Sequence, residues 1–276
     1  MYIGVDIGGT KILVAAADAS GQLIESQKIT SPQDAKAGLA EIVRLIHQLT
    51  AGETISRIAV AAPGRIDRKL GLIISAHNLP HWSNTPIGPV LEQEFKVPVM
   101  LENDANAAAL AEATIGAAQD VASVLYVTIS TGIGTGVVLG GAIYHGAADT
   151  EGGHITIDPA GPPCSCGGRG HFEAITSGRA IEARFGRIAA EINDPASWDL
   201  IARDIALGLM NLIMALSPAT VVLGGGVSVH YAKFQEPLMR YLAELATLYP
   251  LPKIVQAKYT EMAAVHGALI LAREAA

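Results

Sequence analysis

The sequence predicts an α/β fold made of two related halves. Short apolar runs that stop at Gly, Pro or Asn alternate with longer stretches of helical periodicity. One hairpin plan also occurs twice. VDIGGTKILVAAAD at 5–18 and VTISTGIGTGVVLGG at 127–141 each read as apolar strand, Gly/Thr turn, apolar strand. Finally, 276 residues, of which 50% are hydrophobic and 16% charged, supply material for two cores. The crevice between two such halves is a natural ligand site.

In chain order, Tyr2–Asp6 and Ile12–Ala17 are strands around the IGGT turn, and Leu23–Ile29 is a third. Leu39, Ile42, Val43, Ile46 and Leu49 fall on one helical face of 34–49. Arg57–Ala61 is a strand stopped by Pro63-Gly64, and 66–84 is irregular with a short strand at Leu72–Ser75. A helix over Pro86–Phe95 and a strand over Val97–Leu101 follow. Asp104–Ile115 holds ANAAALAEA, a run of strong helix formers, with Gly116 as its left-handed cap. Val121–Ile129 and Gly136–Leu139 form the second hairpin. Helices are predicted over 177–185, 198–216, 231–246 and 262–274, and strands over Thr220–Leu223 and Lys253–Gln256.

A net charge of −7 argues against non-specific nucleic-acid binding, which needs a basic surface. The two cysteines, at CxC spacing, are badly placed for a structural disulfide and point to a reducing, cytoplasmic setting. MYIGVDIGGTK lacks the basic-then-apolar pattern of a signal peptide. The uncharged run 205–229 is broken by Asn211, Pro218 and Gly224–Gly226, so it reads as a buried helix and a core strand rather than a membrane span.

The chemistry concentrates in 151–173, EGGHITIDPAGPPCSCGGRGHFE. It is too rich in Gly and Pro for a regular helix or long strand, and a loop of this length needs something to order it. His154, Cys164, Cys166 and His171 offer two imidazoles and two thiolates, a tetrahedral donor set for Zn²⁺. A metal-bound His154 would keep its second ring nitrogen for a hydrogen bond, and Glu151 and Glu173 would accept bonds from hydroxyls, which suits a polyol. In the first turn, Gly8 and Gly9 let backbone N–H groups approach a phosphate, and Thr10 and Lys11 add a hydroxyl and a cation. Thr131 and Gly132 repeat this in the second turn. Gly225, in GGG, leaves backbone bare for a flat base. No Walker A or strand–helix GxGxxG sequence is present. Asp104, between a strand and a helix, is either an N-cap or a general base. Asn78 is either a turn residue or a ligand contact.

The ordered set of motifs resembles the ROK family of sugar kinases and related repressors, over nearly the whole chain. The set is DIGGTK (6–11), PGRID (63–67), NLPHW (78–82), ENDANAAALAEA (102–113), STGIGTG (130–136), EGGH (151–154), CSCGGRGHFE (164–173) and LGGGVS (223–228). The resemblance implies an actin-like, ribonuclease H-like two-domain fold with an interdomain cleft. Its domains are expected at 1–103, joined by the closing helix 262–276, and at 104–261. The implied reaction is ATP-dependent phosphorylation of a hexose, foremost glucose at O6, with N-acetylmannosamine, N-acetylglucosamine or fructose as alternatives. Asp104 is the implied general base. Asn78, Asn103, Asp104, Glu151, His154 and Glu173 are implied sugar contacts. Gly9, Thr10, Thr131, Gly132 and Gly225 are implied nucleotide contacts, and Asp6 is placed to orient a water of Mg²⁺. A homodimer is implied as well. A sugar-responsive repressor would need a DNA-binding helix-turn-helix, which this sequence has no residues to supply ahead of its first strand. The family's metal loop reads CxCGxxGCxE, so His171 stands here where a cysteine is usual.

Overall fold

The computed structural model describes residues 1–76 and 79–274. Contacts divide the chain into two compact units, Met1–Ala111 with Met262–Ala276, and Glu112–Glu261. The first contains β1 (Tyr2–Ile7), β2 (Lys11–Ala17), β3 (Leu23–Thr30), α1 (Ala35–Thr50), β4 (Arg57–Ala62), β5 (Arg65–Asp67), β6 (Leu72–Ser75), α2 (Ile87–Phe95), β7 (Val99–Asn103) and most of α3 (Asp104–Thr114). Its main sheet runs β3-β2-β1-β4-β7, antiparallel across the first three strands and parallel from β1 to β7. Asp6 and the first residue of β4 aside, β1 and β4 are apolar and buried because both faces are covered. The Asp34 carboxylate caps α1 by accepting from Ala37 N–H at 2.9 Å. Ile42, Leu45, Ile46 and Leu49 then face the core with Ile3, Val5, Ile58 and Val60.

The second unit contains β8 (Ser123–Ile129), β9 (Ile133–Leu139), β10 (Ala142–Ile143), α4 (Phe172–Thr176), α5 (Gly178–Phe185), α6 (Pro195–Leu216), β11 (Thr220–Gly224), α7 (Tyr231–Leu245) and β12 (Lys253–Gln256). Its sheet runs β10-β9-β8-β11-β12 with the same sequence of antiparallel and parallel pairings. The hairpin echo is therefore an echo of whole sheets. α6 starts on a cap from Asp194 to Ser197 N–H (2.8 Å) with Pro195 in its first turn. Its Trp198 stacks on Phe234 of α7 in the core, and at Gly208 an added Cβ would lie 2.4 Å from the Phe172 ring. The last helix, α8 (Ala263–Glu274), belongs to the first unit and packs on β1 and β4. At Gly267 an added Cβ would meet the Ala107 carbonyl oxygen at 1.8 Å, so α3 and α8 meet backbone to backbone.

Several elements differ from the sequence expectation. β9 begins at Ile133 rather than Gly136, because Gly134 and Gly136 pair with Thr128 and Tyr126 across β8. Backbone pairing there overrides the weak strand propensity of glycine. β5, β10 and α4 are additional. The division of units falls after Ala111 rather than after 103, since the first turns of α3 pack with α8. Gly116 is not in the left-handed region. Its missing Cβ instead admits the Glu112 carboxylate, whose Oε2 would lie 2.3 Å from such an atom. That buried carboxylate accepts the N–H groups of Ala117 (2.7 Å), Tyr259 (2.7 Å) and Lys258 (3.1 Å), clasping the two segments that border the division. No helix among the described residues is long and apolar enough to cross a membrane.

Candidate active site and metal-binding loop

In the first unit the candidate residues gather at the C-terminal ends of β1, β4 and β7. Asp6 is buried on β1 between Leu13 and Ala61. Burial, reinforced by the Asp104 carboxylate and partly offset by Lys11, pushes Asp6 up to about 7. At the start of α3 the cap is Asn103, whose side-chain oxygen accepts from Ala105 N–H (2.9 Å) and Asn106 N–H (3.2 Å). Asp104 stands one residue inside and accepts from Ala105 N–H through Oδ1 (2.8 Å), a bond that Ala105 shares with the Asn103 cap. The other end of the Asn103 amide donates to the Gly64 carbonyl at 3.4 Å. Below both, buried Glu102 is paired with Arg68 and accepts from Asn103 N–H (2.8 Å) and the Asn106 side-chain amide (3.0 Å). Arg68 had no local sequence signal, because its partner lies 34 residues away.

The first Gly/Thr turn is tied down from β3. The Ser31 hydroxyl donates to the Gly8 carbonyl (2.6 Å), and Ser31 N–H donates to the Thr10 carbonyl (3.0 Å). Asn78 lies outside the described residues. Trp82, in the same motif, is fully buried and donates Nε1–H to the Pro32 carbonyl at 3.0 Å. The Trp82 ring lies on Gly38 of α1, where an added Cβ would come within 2.1 Å of Cζ2.

In the second unit Gly132 and Glu173 are neighbours, and Gly225 lies beside Thr128 and Ile129 at the end of the strand that leads into the same turn. The Glu173 carboxylate accepts from Ile133 N–H at 2.8 Å, and an added Cβ at Gly132 would lie 2.4 Å from Oε2. One oxygen of the expected sugar contact is thus held by the expected phosphate turn. Gly178 N–H donates to the Ser130 carbonyl (2.6 Å), which sets the start of α5 against the same turn. The Ser177-Gly178 cap pair was the available signal for that helix end. Gly225 adopts φ +84° and backs onto the Ile129 carbonyl, while nothing lies within 4 Å of the Cβ position of Gly226.

The paired glycines of EGGH have a packing reason. Gly152 N–H donates to the Thr135 hydroxyl (2.9 Å), which donates to the Thr150 carbonyl (2.9 Å). At Gly153 an added Cβ would lie 2.2 Å from the Ile133 carbonyl oxygen. Glu151 and His154 therefore project from backbone pressed against β9. His154 Nε2 lies 4.0 Å from the Glu151 carboxylate, and Nδ1 lies 3.6 Å from Cys164 Sγ.

His154, Cys164, Cys166 and His171 each offer one ligand atom, and these four lie within 4.8 Å of one another. His171 Nδ1 is 3.2 Å from Cys166 Sγ. Tetrahedral zinc, with bonds of about 2.3 Å to sulfur and about 2.0 Å to nitrogen, has edges of about 3.3–3.8 Å. The two S–N edges at 3.6 and 3.2 Å fit closely, and two thiols with two imidazoles are the soft and borderline donors such an ion takes. The imidazole of His171 needs room that Gly168 provides: an added Cβ there would lie 2.3 Å from its Cε1 and 2.5 Å from its Nε2.

The loop is also less dependent on a metal for its course than its composition implies. Ile157 and Asp158 N–H groups donate to the Gly170 carbonyl (2.9 and 3.1 Å), Phe172 N–H to Ile155 (2.9 Å), and Cys164 N–H to Gly168 (2.9 Å). Gly170, at φ +63°, passes so close to the Asp158 carbonyl that a Cβ would overlap it.

The chain matches the model of the ROK family over residues 2–275. A glucokinase of Halalkalibacterium halodurans is 32% identical over 92% of this chain and 87% of its own. An N-acetylmannosamine kinase of Escherichia coli strain SE11 is 34% identical over 98% of each. The crystal structure of a ROK family glucokinase from Streptomyces griseus, in complex with glucose and AMPPNP, superposes with a TM-score of 0.85 at 28% identity, covering 99% of both chains. The chain belongs to the ROK family, and its paired β-sheets, each with the order of the other, have that family's actin-like α/β fold.

Proposed function

We propose that this chain is an ATP-dependent hexose kinase that phosphorylates glucose at O6, with Asp104 as general base. The observation that carries the reading is the start of α3. Asn103 caps the helix, and Asp104 is left at a strand-to-helix junction with its carboxylate in the field of Asp6. Asp104 accepts the hydroxyl proton as the bond to phosphorus develops, and the rest of the rate comes from positioning and charge stabilisation. Asn78, Asn103, Glu151, His154 and Glu173 orient the sugar. Gly8, Gly9, Thr10 and Lys11 hold phosphate in one unit, and Thr131 and Gly132 in the other. Gly225, with open space at Gly226, receives the nucleoside. Bound Mg²⁺ would supply neutralisation of the phosphate oxygens, and Asp6 is the residue that would orient one of its waters. His154, Cys164, Cys166 and His171 would hold Zn²⁺ in a structural role that would set the direction of the His154 ring.

A second reading, phosphorylation of N-acetylmannosamine, is favoured by the 34% identity to a kinase of that sugar over nearly the full chain. ADP release measured across a panel of hexoses and N-acetylhexosamines separates the two. Glucose should have the highest kcat/KM. A panel led by N-acetylmannosamine would transfer the proposal to that sugar, and no release with any sugar would overturn the kinase reading.

The metal loop makes its own prediction. His171→Ala should lower zinc content and raise the KM for sugar, because a misplaced His154 weakens ground-state binding. ATP binding should be little changed, and His171→Cys should restore both properties. Gly168→Ala should lower zinc affinity in the wild-type background, by pushing the imidazole off its position, and should be tolerated beside His171→Cys. Elemental analysis and chelator competition read both effects. Fully active, zinc-free protein would remove the metal from this account.

A further inference from the structure

Arg68 reaches the start of α3 from 34 residues away and has no part in the reading above. Its guanidinium meets Glu102 as a fork: Nε donates to Oε2 at 3.0 Å, and Nη2 donates to Oε1. A fork fixes the plane of a carboxylate, which a single contact does not. The same Oε1 accepts from Asn103 N–H (2.8 Å) and from the Asn106 side-chain amide (3.0 Å). These two donors stand on either side of Asp104 in the chain. One oxygen, aimed by Arg68, therefore holds the backbone just before Asp104 and the first helical turn just after it. Asn103 then carries the cap to the N–H groups of Ala105 and Asn106.

The arm that delivers Arg68 is itself fixed from three directions. Arg68 lies in the turn between β5 and β6, where the Asp67 carboxylate accepts from Lys69 N–H (3.0 Å) and Leu70 N–H (2.9 Å). Gly88 N–H donates to the Gly71 carbonyl at 2.9 Å, and an added Cβ at Gly71 would lie 2.9 Å from Gly88 Cα, so the turn is seated on the start of α2. At Gly64 an added Cβ would lie 2.2 Å from the Ser75 carbonyl oxygen, so the two ends of the hairpin meet backbone to backbone. The Gly64 carbonyl also receives the Asn103 amide at 3.4 Å. Stability alone is a poor account of the pair. Glu102 is 5% exposed, and a buried ion pair adds little over an apolar pair of the same size. What such a pair gives is direction, set here before any substrate binds.

We propose that Arg68 is a positioning residue for phosphoryl transfer: through Glu102 it fixes the direction from which Asp104 meets the acceptor hydroxyl. The inference rests on the reading of Asp104 as general base. Proton transfer to a positioned base depends on geometry at the level of one hydrogen bond, and a misplacement of about 1 Å by a change remote from the chemistry can cost about 10²-fold. Arg68 acts on that geometry through the carboxylate plane of Glu102 and the backbone at Asn103.

The test is steady-state turnover of the full chain with glucose and ATP. Arg68→Ala should lower kcat at least about tenfold and leave the KM for ATP unchanged. Arg68→Lys, which keeps the charge without the fork, should recover part of the loss. Lys69→Ala, at an exposed neighbour in the same turn, should turn over as wild type. Arg68→Ala strands a buried carboxylate. If it does not fold, Glu102→Gln breaks the same fork and leaves the guanidinium, 29% exposed, free to reach solvent, and it should show the same loss. The deciding comparison is made in the Asp104→Asn background. With the base removed there is nothing left to position, so the Arg68 change should cost the residual turnover nothing more. An equal fractional loss in both backgrounds would make Arg68 a purely structural residue and overturn the proposal. Wild-type kcat in a folded Arg68→Ala protein would overturn it as well. The two readings stay separable. Collapse of turnover in Asp104→Asn beside an unchanged Arg68→Ala removes the positioning role alone, and normal turnover in Asp104→Asn removes the base and the role of Arg68 with it.

Discussion

Asp104→Asn should lower kcat by a factor of about 10² or more, the contribution typical of a positioned general base. The fold and sugar binding should persist. Asn103 accepts from Ala105 and Asn106 N–H, and the bond that Asp104 Oδ1 accepts from Ala105 N–H (2.8 Å) can be kept by the amide oxygen of an Asn at 104. The change is nearly isosteric and also removes the like charge that helps hold up the Asp6 pKa. Thermal melts of the variant should therefore match or exceed those of the wild type, while single-turnover phosphoryl transfer collapses. Turnover close to normal in a folded Asp104→Asn protein would return Asp104 to a helix-end residue with no part in the chemistry.

Asp6→Asn should stabilise the protein free of nucleotide and metal, and more so at high pH. Asp6 titrates near 7 in the fold, against an ordinary value of 3.8. The folded state thus retains a proton between about pH 4 and 7 that the unfolded chain has released. This group's contribution is fully present below about pH 4 and is lost as pH rises through 7. The shift of roughly three units corresponds to about 4 kcal/mol at full development. The wild-type melting temperature should decline over that interval, and the decline should be shallower in Asp6→Asn. The gap between the two should be several degrees at pH 8.5 and clearly smaller at pH 5. Catalysis should move the opposite way, with kcat/KM for ATP falling, because a neutral amide cannot complement the metal–phosphate group. Parallel melting curves against pH would show that Asp6 is ionised and well solvated in the fold.

The periodicity of apolar residues and the Gly/Thr punctuation between them determined the strands, the helices and the doubled hairpin, because those signals act over a few residues. The donor set His154, Cys164, Cys166 and His171 was legible for the same reason, lying within 18 consecutive positions. Tertiary structure decided what depends on partners distant in the chain. It made Asn103, not Asp104, the cap of α3, a choice set by how β7 delivers the backbone into the helix. It turned Gly116 from a left-handed cap into the clearance for Glu112, whose bonds reach to Lys258 and Tyr259. It also placed the Glu173 carboxylate on the turn at Ile133, 40 residues earlier, and the Arg68 guanidinium on Glu102, 34 residues later. Local sequence encodes conformation through sterics and backbone hydrogen bonding, which are short-ranged. The environment of a carboxylate or an ammonium group is the sum of everything packed around it, and only the folded chain supplies that.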